Sequence, residues 1–280
     1  MASKVWFITG TSKGFGRVWT EAALARGDRV AATARNVSTL APLAEQYGDR
    51  IATMALDVTD KTAVDAAISE ANARFGRLDV VVNNAGYGLF GTIEEVSEAE
   101  ARAQLETNLF GALWVTQAAL PIMRAQRSGH IIQVSSIGGV NAFPTVGLYH
   151  ASKWGLEGFS QSLATEVAGF GIKVTIVEPG GYATDWGGPS AQRATQMPAY
   201  DNARASIAAF RSRNVPGDPS ATGPAILKVV DAENPPLRIF FGSSGLPMTL
   251  AEYDRRIETW EKWNAVSLEA QGDLARKQAR

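Results

Sequence analysis

Residues 9–16, which read TGTSKGFG, separate a short apolar run from the first helical pattern of the chain. The glycines Gly10, Gly14 and Gly16 follow a G-x-x-x-G-x-G spacing. Glycine permits a tight turn and a close approach to the backbone, and the N-terminus of the following helix presents unpaired N–H groups at the same place. This arrangement favours a pyrophosphate site, and the alternative is a plain turn between a strand and a helix.

Beyond this turn, short apolar or β-branched runs alternate with helical patterns at residues 15–26, 61–74, 98–127 and 149–168. The runs are almost wholly apolar, as expected of strands that are buried on both faces of a parallel sheet. The sequence therefore predicts an α/β fold, a Rossmann-type doubly wound parallel sheet of about seven strands flanked by helices, in a single domain over residues 1–280. The predicted strands are residues 5–9, 29–34, 51–56, 78–82, 130–135, 172–177 and 237–241.

Two segments depart from this alternation. Residues 180–218 are rich in Gly, Pro, Ser and Ala, and we expect them to form a substrate lid over the carboxyl edge of the sheet. A helix at residues 220–230 and the last strand follow, and residues 243–280 form a predicted C-terminal helical extension. Apolar side chains recur there at helical spacing, which predicts that the helix packs on the body. They belong to Tyr253, Ile257, Trp260 and Trp263, and residues beyond Leu268 are expected to fray.

The composition excludes several classes of function. The 280 residues are 45% hydrophobic and 20% charged, as in folded proteins, and 27 basic residues nearly balance 28 acidic ones. This balance gives no field that would favour nucleic acid or an anionic membrane as a partner. Because the sequence has no cysteine, thiolate catalysis and sulfur-based metal sites are excluded. No apolar run reaches the ~20 residues that span a bilayer, and we expect a cytoplasmic protein.

The end of the second predicted strand bears on the choice of dinucleotide. An NAD-specific Rossmann unit carries a carboxylate there for the ribose 2′-hydroxyl, whereas this strand ends in Ala34 and Arg35. Arg35 can pair with a 2′-phosphate through two hydrogen bonds, and Lys13 in the glycine turn adds a second positive charge. These two cations favour NADP(H) over NAD(H), and the alternative is that both are solvated surface residues.

Tyr149 and Lys153 lie four positions apart at the start of a predicted helix, so their side chains share one face. A free phenol has a pKa near ~10, and a close ammonium would lower the pKa of Tyr149 toward a useful acid–base range. Ser136 lies just past the fifth predicted strand, at the edge of the sheet where ligands bind. Each residue alone is compatible with packing or surface exposure, but their joint order and spacing favour catalysis.

Taken together, four motifs resemble the short-chain dehydrogenase/reductase family over about residues 4–184. They are the glycine turn, the run NNAG at residues 83–86, Ser136 and the Y-x-A-S-K run at residues 149–153. Residues 83–91 and the long C-terminal part look like the hydroxysteroid- and retinol-type branch of that family. The resemblance implies a Rossmann fold and an oxidoreductase that assembles into dimers or tetramers through the two long helices near residues 98–127 and 149–168.

The same resemblance implies roles for individual residues. Tyr149 would donate a proton during reduction, and Lys153 would lower its pKa and bind the nicotinamide ribose. Ser136 would hydrogen-bond the substrate carbonyl, Asn108 would position a water in the proton relay, and Asp57 would contact the adenine amine. The residues expected to contact the cofactor are Gly10, Ser12, Lys13, Gly14, Phe15, Gly16, Arg35, Asp57, Val58, Asn83, Ala85, Gly86, Tyr149, Lys153, Pro179, Gly180 and Thr184.

Large side chains near the predicted crevice are expected to wall an apolar substrate pocket, and core or lid packing is the alternative. They are Phe90, Phe143, Tyr182 and Trp186, with Met197 and Tyr200 further along the lid. His130 and His150 have no carboxylate or cysteine partner at recognisable spacing, so both are interpreted as structural and no metal site is predicted.

The sequence thus predicts an NADPH-dependent carbonyl reductase, or alcohol dehydrogenase, that transfers a hydride between the nicotinamide and an apolar ketone or aldehyde. Tyr149 would be its acid–base group. An NADP(H)-binding sensor or regulator without turnover is the alternative, although such a protein is expected to have lost the tyrosine or the lysine.

Overall fold

The protein is described by a computed structural model that covers residues 3–212 and 215–272. Nine strands occur among these residues, and seven of them form one parallel sheet. The strands are β1 (Val5–Ile8), β2 (Arg29–Ala34), β3 (Ile51–Ala55), β4 (Val80–Asn83), β5 (Leu89–Phe90), β6 (Gly129–Val134), β7 (Ile172–Pro179), β8 (Gln192–Arg193) and β9 (Arg238–Phe241).

Helices connect the strands and cover both faces of the sheet. In the described part of the chain the α-helices are α1 (Gly14–Arg26), α2 (Ala41–Tyr47), α3 (Lys61–Phe75), α4 (Glu98–Leu105), α5 (Gly111–Gln126), α6 (Gly147–Val167), α7 (Asp201–Ser212), α8 (Thr222–Asp231) and α9 (Gly245–Gln271).

The large sheet has the strand order β3-β2-β1-β4-β6-β7-β9. All of its pairs are parallel, and Phe7 of β1 lies opposite Ala31 of β2 and Val81 of β4. The chain order reverses between β1 and β4, which is the switch point where open α/β sheets bind ligands. The predicted doubly wound sheet of seven strands in a single domain is therefore confirmed.

Alternate residues of β1 enter two separate cores, because successive side chains of a strand point to opposite faces. Phe7 lies in the core formed with α3, α5 and α6, and Trp6 lies in the core formed with α1, α2 and α8. The Trp6 indole Nε1 donates to Asp28 Oδ2 at 2.8 Å, so the buried N–H group is satisfied. Burial on both faces explains why the strands are almost wholly apolar.

The single helix predicted over residues 98–127 is interrupted. A π-helical turn, Glu106–Phe110, joins α4 to α5 and contains Asn108. Such turns are rare inside α-helices and are common at functional sites. The predicted lid at residues 180–218 also has more structure than expected, since it contains β8 and α7, and β8 pairs with β5 in a small second sheet.

The expected packing of the C-terminal helix on the body is wrong. Tyr253, Ile257, Trp260 and Trp263 are 39%, 45%, 63% and 58% exposed. Only the first turns of α9 lie against the body, and every described residue after Arg256 is exposed. The helical spacing determines which side chains share a face of α9. In the described part of the chain, however, the body does not extend alongside the C-terminal half of this helix. The helix continues to Gln271, and residues 273–280 lie outside the described residues.

Across residues 3–212 and 215–272, no helix combines the length and the apolar character that a membrane-spanning segment needs.

Candidate active site

The glycine turn lies at the carboxyl end of β1. Gly10 and Gly14 have φ values of 69° and 60°, in the left-handed region that favours glycine. A Cβ atom on Gly16 would lie 2.5 Å from Asn84 Nδ2 and closer still to the carbonyl oxygen of Gly10. The spacing of the three glycines therefore follows from backbone geometry and close contact.

Thr9 and Asn84, to which the sequence analysis assigned no role, fix this turn to the neighbouring strand. Asn84 Nδ2 donates to the carbonyl oxygens of Thr9 and Gly10 at 2.9 Å each. The Thr9 hydroxyl accepts the backbone N–H groups of Asn84 and Ala85 at 3.0 Å each. The NNAG run contains Asn84, but only the long-range contact with residues 9–10 shows what its second asparagine does.

The N-terminus of α1 is open to an anion. Lys13 is its N-cap residue, no side chain of the described residues caps the helix, and its first turn carries no acidic residue. Ser12 belongs to the same turn, and the Phe15 ring packs 5.6 Å from Trp19, between centroids. The first N–H groups of α1 are therefore available at the switch point of the sheet.

The two predicted phosphate-binding cations have different surroundings. Arg35 is exposed just past β2 and forms no ion pair within residues 3–212 and 215–272. The Lys13 ammonium forms an ion pair with Asp185 of the lid. Hydrogen bonds from Lys13 and from Ser190 lower the pKa of the Asp185 carboxyl. Lys13 therefore links the glycine turn to the lid in this structure.

The other predicted cofactor contacts lie either at the exposed carboxyl edge of the sheet or inside the protein. Asp57 is exposed at the end of β3, where its carboxylate accepts the Thr59 N–H at 3.0 Å. Asn83 lies inside the protein instead, and its Nδ2 donates to Gln133 Oε1 and Thr116 Oγ1 at 3.0 Å each. It ties β4 to β6 and α5. Val58 is buried beside Gly111.

The carboxyl end of β7 leads into the lid. Pro179 ends the strand, and the Gly180 N–H donates to the carbonyl oxygen of Phe241 at 2.9 Å. Thr184 caps a short helical turn, since its hydroxyl accepts the Trp186 N–H at 3.4 Å.

Tyr149 and Ser136 meet at the edge of β6. Tyr149 is 6% exposed on the first turn of α6, and the Ser136 side chain lies near enough to its phenol to affect the phenol's pKa. Burial raises the pKa of Tyr149 to about 12, and the opposing effect of Ser136 offsets only part of this rise. The structure brings together the two hydroxyl groups that the sequence analysis selected.

Lys153 lies beside them, but the pKa of Tyr149 is raised on balance and not lowered as expected. Its Nζ donates to the carbonyl oxygen of Val134 at 2.7 Å and lies 5.8 Å from the centroid of the Tyr149 ring. Desolvation of the buried phenol outweighs the field of an ammonium at that distance. Burial also lowers the pKa of Lys153 to about 8.

Asn108 fixes the loop after β4 next to Lys153. Its side-chain amide accepts the Tyr87 N–H at 3.1 Å and donates to the Tyr87 carbonyl at 3.0 Å. It also donates to Ser152 Oγ at 3.2 Å. A Cβ atom on Gly86 would lie 3.0 Å from Asn108 Oδ1 and 3.8 Å from Lys153 Nζ, so these three residues are close neighbours.

Both histidines have structural surroundings. The His150 Nδ1 lies 2.8 Å from the carbonyl oxygen of Gly138, and its Nε2 accepts the Phe143 N–H at 2.8 Å. His150 therefore holds the loop that follows Ser136. His130 is buried, with Nε2 2.9 Å from Thr175 Oγ1, and burial lowers its pKa to about 3.

Aromatic rings close over the Tyr149 phenol. The Trp186 ring centroid lies 4.9 Å from that of Tyr149 and 5.2 Å from that of Phe90. The Phe143 ring lies 5.5 Å from the His150 ring. Of the four predicted substrate residues, Trp186 therefore lies against the Tyr149 ring, Phe90 packs on Trp186, and Phe143 packs on His150.

Tyr182 is placed elsewhere. Its ring packs edge-on against Phe15 at 5.0 Å between centroids, in the core next to the glycine turn. The remaining two lid residues hold the lid itself: the Met197 N–H donates to Glu95 Oε1 at 2.7 Å, and the Tyr200 hydroxyl hydrogen-bonds with Glu94.

A Rossmann-type sheet with a glycine turn at its switch point, and a serine, tyrosine and lysine at the same edge, is the architecture of a class of oxidoreductases. The family model described as short chain dehydrogenase matches residues 4–194. Oxidoreductase BOA17 of Botryotinia fuckeliana is 42% identical over 273 residues, which cover 95% of this chain and 98% of that protein.

Solved structures give the same result. A short-chain dehydrogenase from Streptomyces avermitilis has a TM-score of 0.90 at 39% identity, over 96% of this chain and 98% of its own. A metagenomic short-chain oxidoreductase in complex with NADP has a TM-score of 0.69 at 26% identity, over 86% of this chain and 97% of its own. The chain belongs to the short-chain dehydrogenase/reductase family and is an oxidoreductase of that family.

Proposed function

We propose that this protein is an NADPH-dependent carbonyl reductase, with alcohol oxidation as the reverse reaction, and that it acts on an apolar ketone or aldehyde. The observation that carries the proposal is the meeting of the Tyr149 and Ser136 hydroxyl groups beside Lys153, at the edge of the sheet where the glycine turn opens. Tyr149 is the proposed acid–base group.

The residues of the turn fit a dinucleotide. The uncapped N-terminus of α1 leaves N–H donors for a pyrophosphate, and Gly16 lets α1 approach the Gly10 carbonyl and Asn84 closely. The strand end at Arg35 offers a cation and no carboxylate, which supports a cofactor with a 2′-phosphate. The metagenomic relative was solved with NADP. We therefore propose NADP(H), with Arg35 as the principal phosphate contact.

When bound, this cofactor supplies the hydride that reduces a carbonyl carbon. The chain's own groups act on the carbonyl oxygen: Ser136 donates a hydrogen bond to it, and Tyr149 transfers the phenolic proton to it. Because burial raises the pKa of Tyr149 to about 12, the phenol is protonated at neutral pH, which is the form that donates. The protonation state of Tyr149 therefore favours reduction near neutral pH.

Lys153 and Asn108 support this proton transfer. With a pKa lowered by burial to about 8, Lys153 is mostly an ammonium at neutral pH, and its charge stabilises the phenolate that forms as Tyr149 gives up its proton. Asn108 is proposed as a positioning residue, because its amide holds the backbone of Tyr87 and the hydroxyl of Ser152 next to Lys153.

The aromatic rings above Tyr149 support an apolar substrate. The Trp186 ring packs against the Tyr149 ring, and the Phe90 ring packs against Trp186. An apolar ketone would gain binding energy by burying its surface against these rings. Since the Trp186 ring lies against Tyr149 itself, we propose that the short turn Asp185–Gly187 shifts when the substrate enters.

The test is Tyr149→Phe, assayed by loss of NADPH absorbance with a panel of apolar ketones and aldehydes. Removing the phenolic oxygen removes the proton donor, so we expect turnover to fall by at least about 10³-fold, which corresponds to ~4 kcal/mol of transition-state stabilisation. NADPH affinity, measured by fluorescence titration, should stay within about threefold. Tyr253→Phe on the exposed face of α9 is the matched control and should be fully active.

Turnover by the wild type with any member of the panel removes the alternative of a sensor without activity. Full activity of the Tyr149→Phe variant would remove Tyr149 from the mechanism.

A further inference from the structure

Two buried glutamates lie behind Lys153. Glu157 follows Lys153 by four residues on α6 and is 5% exposed, and Glu178 near the end of β7 is 1% exposed. Arg238 of β9 lies between them. Its Nε donates to Glu157 Oε2 at 2.9 Å and lies 3.5 Å from Glu178 Oε1. A single cation thus faces two buried carboxyl groups, and nothing in the proposed mechanism so far accounts for them.

The two carboxyl groups of this pair are crowded around one cation. Glu157 Oε1 and Glu178 Oε1 each lack a donor among the described residues. Burial, the negative charge of Glu157 and a hydrogen bond between the two carboxyl groups raise the pKa of Glu178 well above its usual range. Two adjacent carboxylates that share one site do not both ionise, and a shared proton satisfies both oxygens. The raised pKa therefore favours the neutral form of Glu178 in this pair.

The negative charge of Glu157 acts on Lys153. Residues four apart on a helix are neighbours, so Glu157 lies one turn beyond Lys153 on the face that also carries Tyr149. Burial lowers the pKa of Lys153, and the charge of Glu157 opposes that lowering. The loop that follows Ser136 also lies against Glu157, because a Cβ atom on Gly139 would lie 2.9 Å from Glu157 Oε1.

The other groups in this region are mostly uncharged. Among the described residues, Tyr149 and Glu157 of α6 act on or lie beside Lys153, and Glu178 of β7 and Arg238 of β9 lie around Glu157. The strand β6, the loop after it and the π-helical turn contribute the Val134 carbonyl, the Ser135 and Ser136 hydroxyls and the Asn108 amide. Glu157 is thus the acidic group whose charge acts on Lys153.

We propose that Glu157 is a positioning residue that keeps Lys153 an ammonium while Tyr149 gives up its proton. Arg238 and the protonated Glu178 hold Glu157 in place as the charged member of the pair. The inference deepens the proposed function and rests on it, but the charge on Lys153 can be measured without turnover.

The experiment compares Glu157→Gln, Glu157→Asp and Glu178→Gln with the wild type. The Lys153 ammonium is titrated by NMR of ¹³Cε-labelled lysine, and its signal is assigned by its loss in Lys153→Arg. In Glu157→Gln the midpoint should fall by roughly one pH unit, as expected for loss of one nearby charge at an effective dielectric constant of about 20. Glu157→Asp keeps the charge, so its Lys153 midpoint should lie close to that of the wild type. Glu178→Gln replaces a neutral carboxyl with a neutral amide and should leave the midpoint unchanged.

The pH profile of kcat/KM for reduction gives the second measurement. The basic limb should move to lower pH by the same amount in Glu157→Gln, with activity below the limb within about threefold of the wild type, and it should not move in Glu178→Gln. A role in packing alone would lower the whole profile without moving the limb. A wild-type NMR midpoint in Glu157→Gln, or equal shifts in Glu157→Gln and Glu178→Gln, would overturn the inference. If Glu157→Gln does not fold, Glu157→Asp and Glu178→Gln still test the inference. A changed Lys153 midpoint in Glu178→Gln would contradict the assignment of the proton to Glu178.

The NMR result stands apart from the proposed function. If the wild type is inactive but Glu157→Gln shows the expected shift, the reductase is disproved and the charge assignment stands. If the wild type is active but Glu157→Gln shows no shift, the charge assignment is disproved and the reductase stands.

Discussion

The first and the last helices both carry large aromatic side chains, but the protein buries them very differently. Trp19 of α1 is fully buried and its Nε1 donates to Thr222 Oγ1 at 2.8 Å, whereas Trp260 of α9 is 63% exposed. α1 packs on the sheet beside α8, while α9 extends past the body after Arg256. The difference shows that helical spacing determines which side chains share one face of a helix. Burial of that face also requires an opposing surface.

The strongest test of this contrast is Gly16→Ala at the start of α1. The added methyl group would overlap the Gly10 carbonyl and approach Asn84 Nδ2 to 2.5 Å, so the glycine turn must deform. We expect about 100-fold weaker NADPH binding, or ~3 kcal/mol, by isothermal titration calorimetry.

Gly158→Ala is the matched control, because nothing lies within 4 Å of its Cβ position on α6. It should bind NADPH normally and gain stability from the better helix former. Normal binding by Gly16→Ala would show that the turn does not hold the cofactor.

The largest effect on stability is expected for Trp19→Ala. The indole is fully buried between Phe15 and Phe241, and its removal leaves a cavity and removes the hydrogen bond that the Thr222 hydroxyl accepts. Urea unfolding should show a loss of about 3–5 kcal/mol. A loss below about 1 kcal/mol would mean that α1 is not packed as described.

The smallest effect is expected for Trp260→Ala on α9. This indole is mostly exposed, so the same chemical change should alter the free energy of unfolding by no more than about 0.5 kcal/mol. The measurement is the same urea titration at low protein concentration. Destabilisation as large as that of Trp19→Ala would remove the contrast between the two helices.

The features that could be predicted from sequence are local. The seven strands were predicted to within two residues, because strands buried on both faces are continuous apolar runs. The glycine turn was predictable since positive φ and close contact demand glycine at fixed positions. The grouping of Ser136, Tyr149 and Lys153 followed from the spacing of a known family.

The features that could not be predicted depend on residues far apart in sequence. Asn84 binds the turn at residues 9–10, and Lys13 forms an ion pair with Asp185 of the lid. The rise in the Tyr149 pKa reflects burial by Trp186 and its neighbours, which no spacing along one helix reports. The π-helical turn at residues 106–110 likewise has no signal in the apolar pattern.

The central claim is that the Tyr149 phenol gives its proton to a carbonyl oxygen beside a bound nicotinamide. The most direct measurement is a crystal structure with NADP⁺ and an unreactive ketone analogue that competes with a substrate. We predict that the analogue's carbonyl oxygen lies within about 3 Å of the hydroxyl groups of both Tyr149 and Ser136. An analogue bound with its carbonyl out of reach of both hydroxyl groups, next to a correctly seated cofactor, would contradict the account.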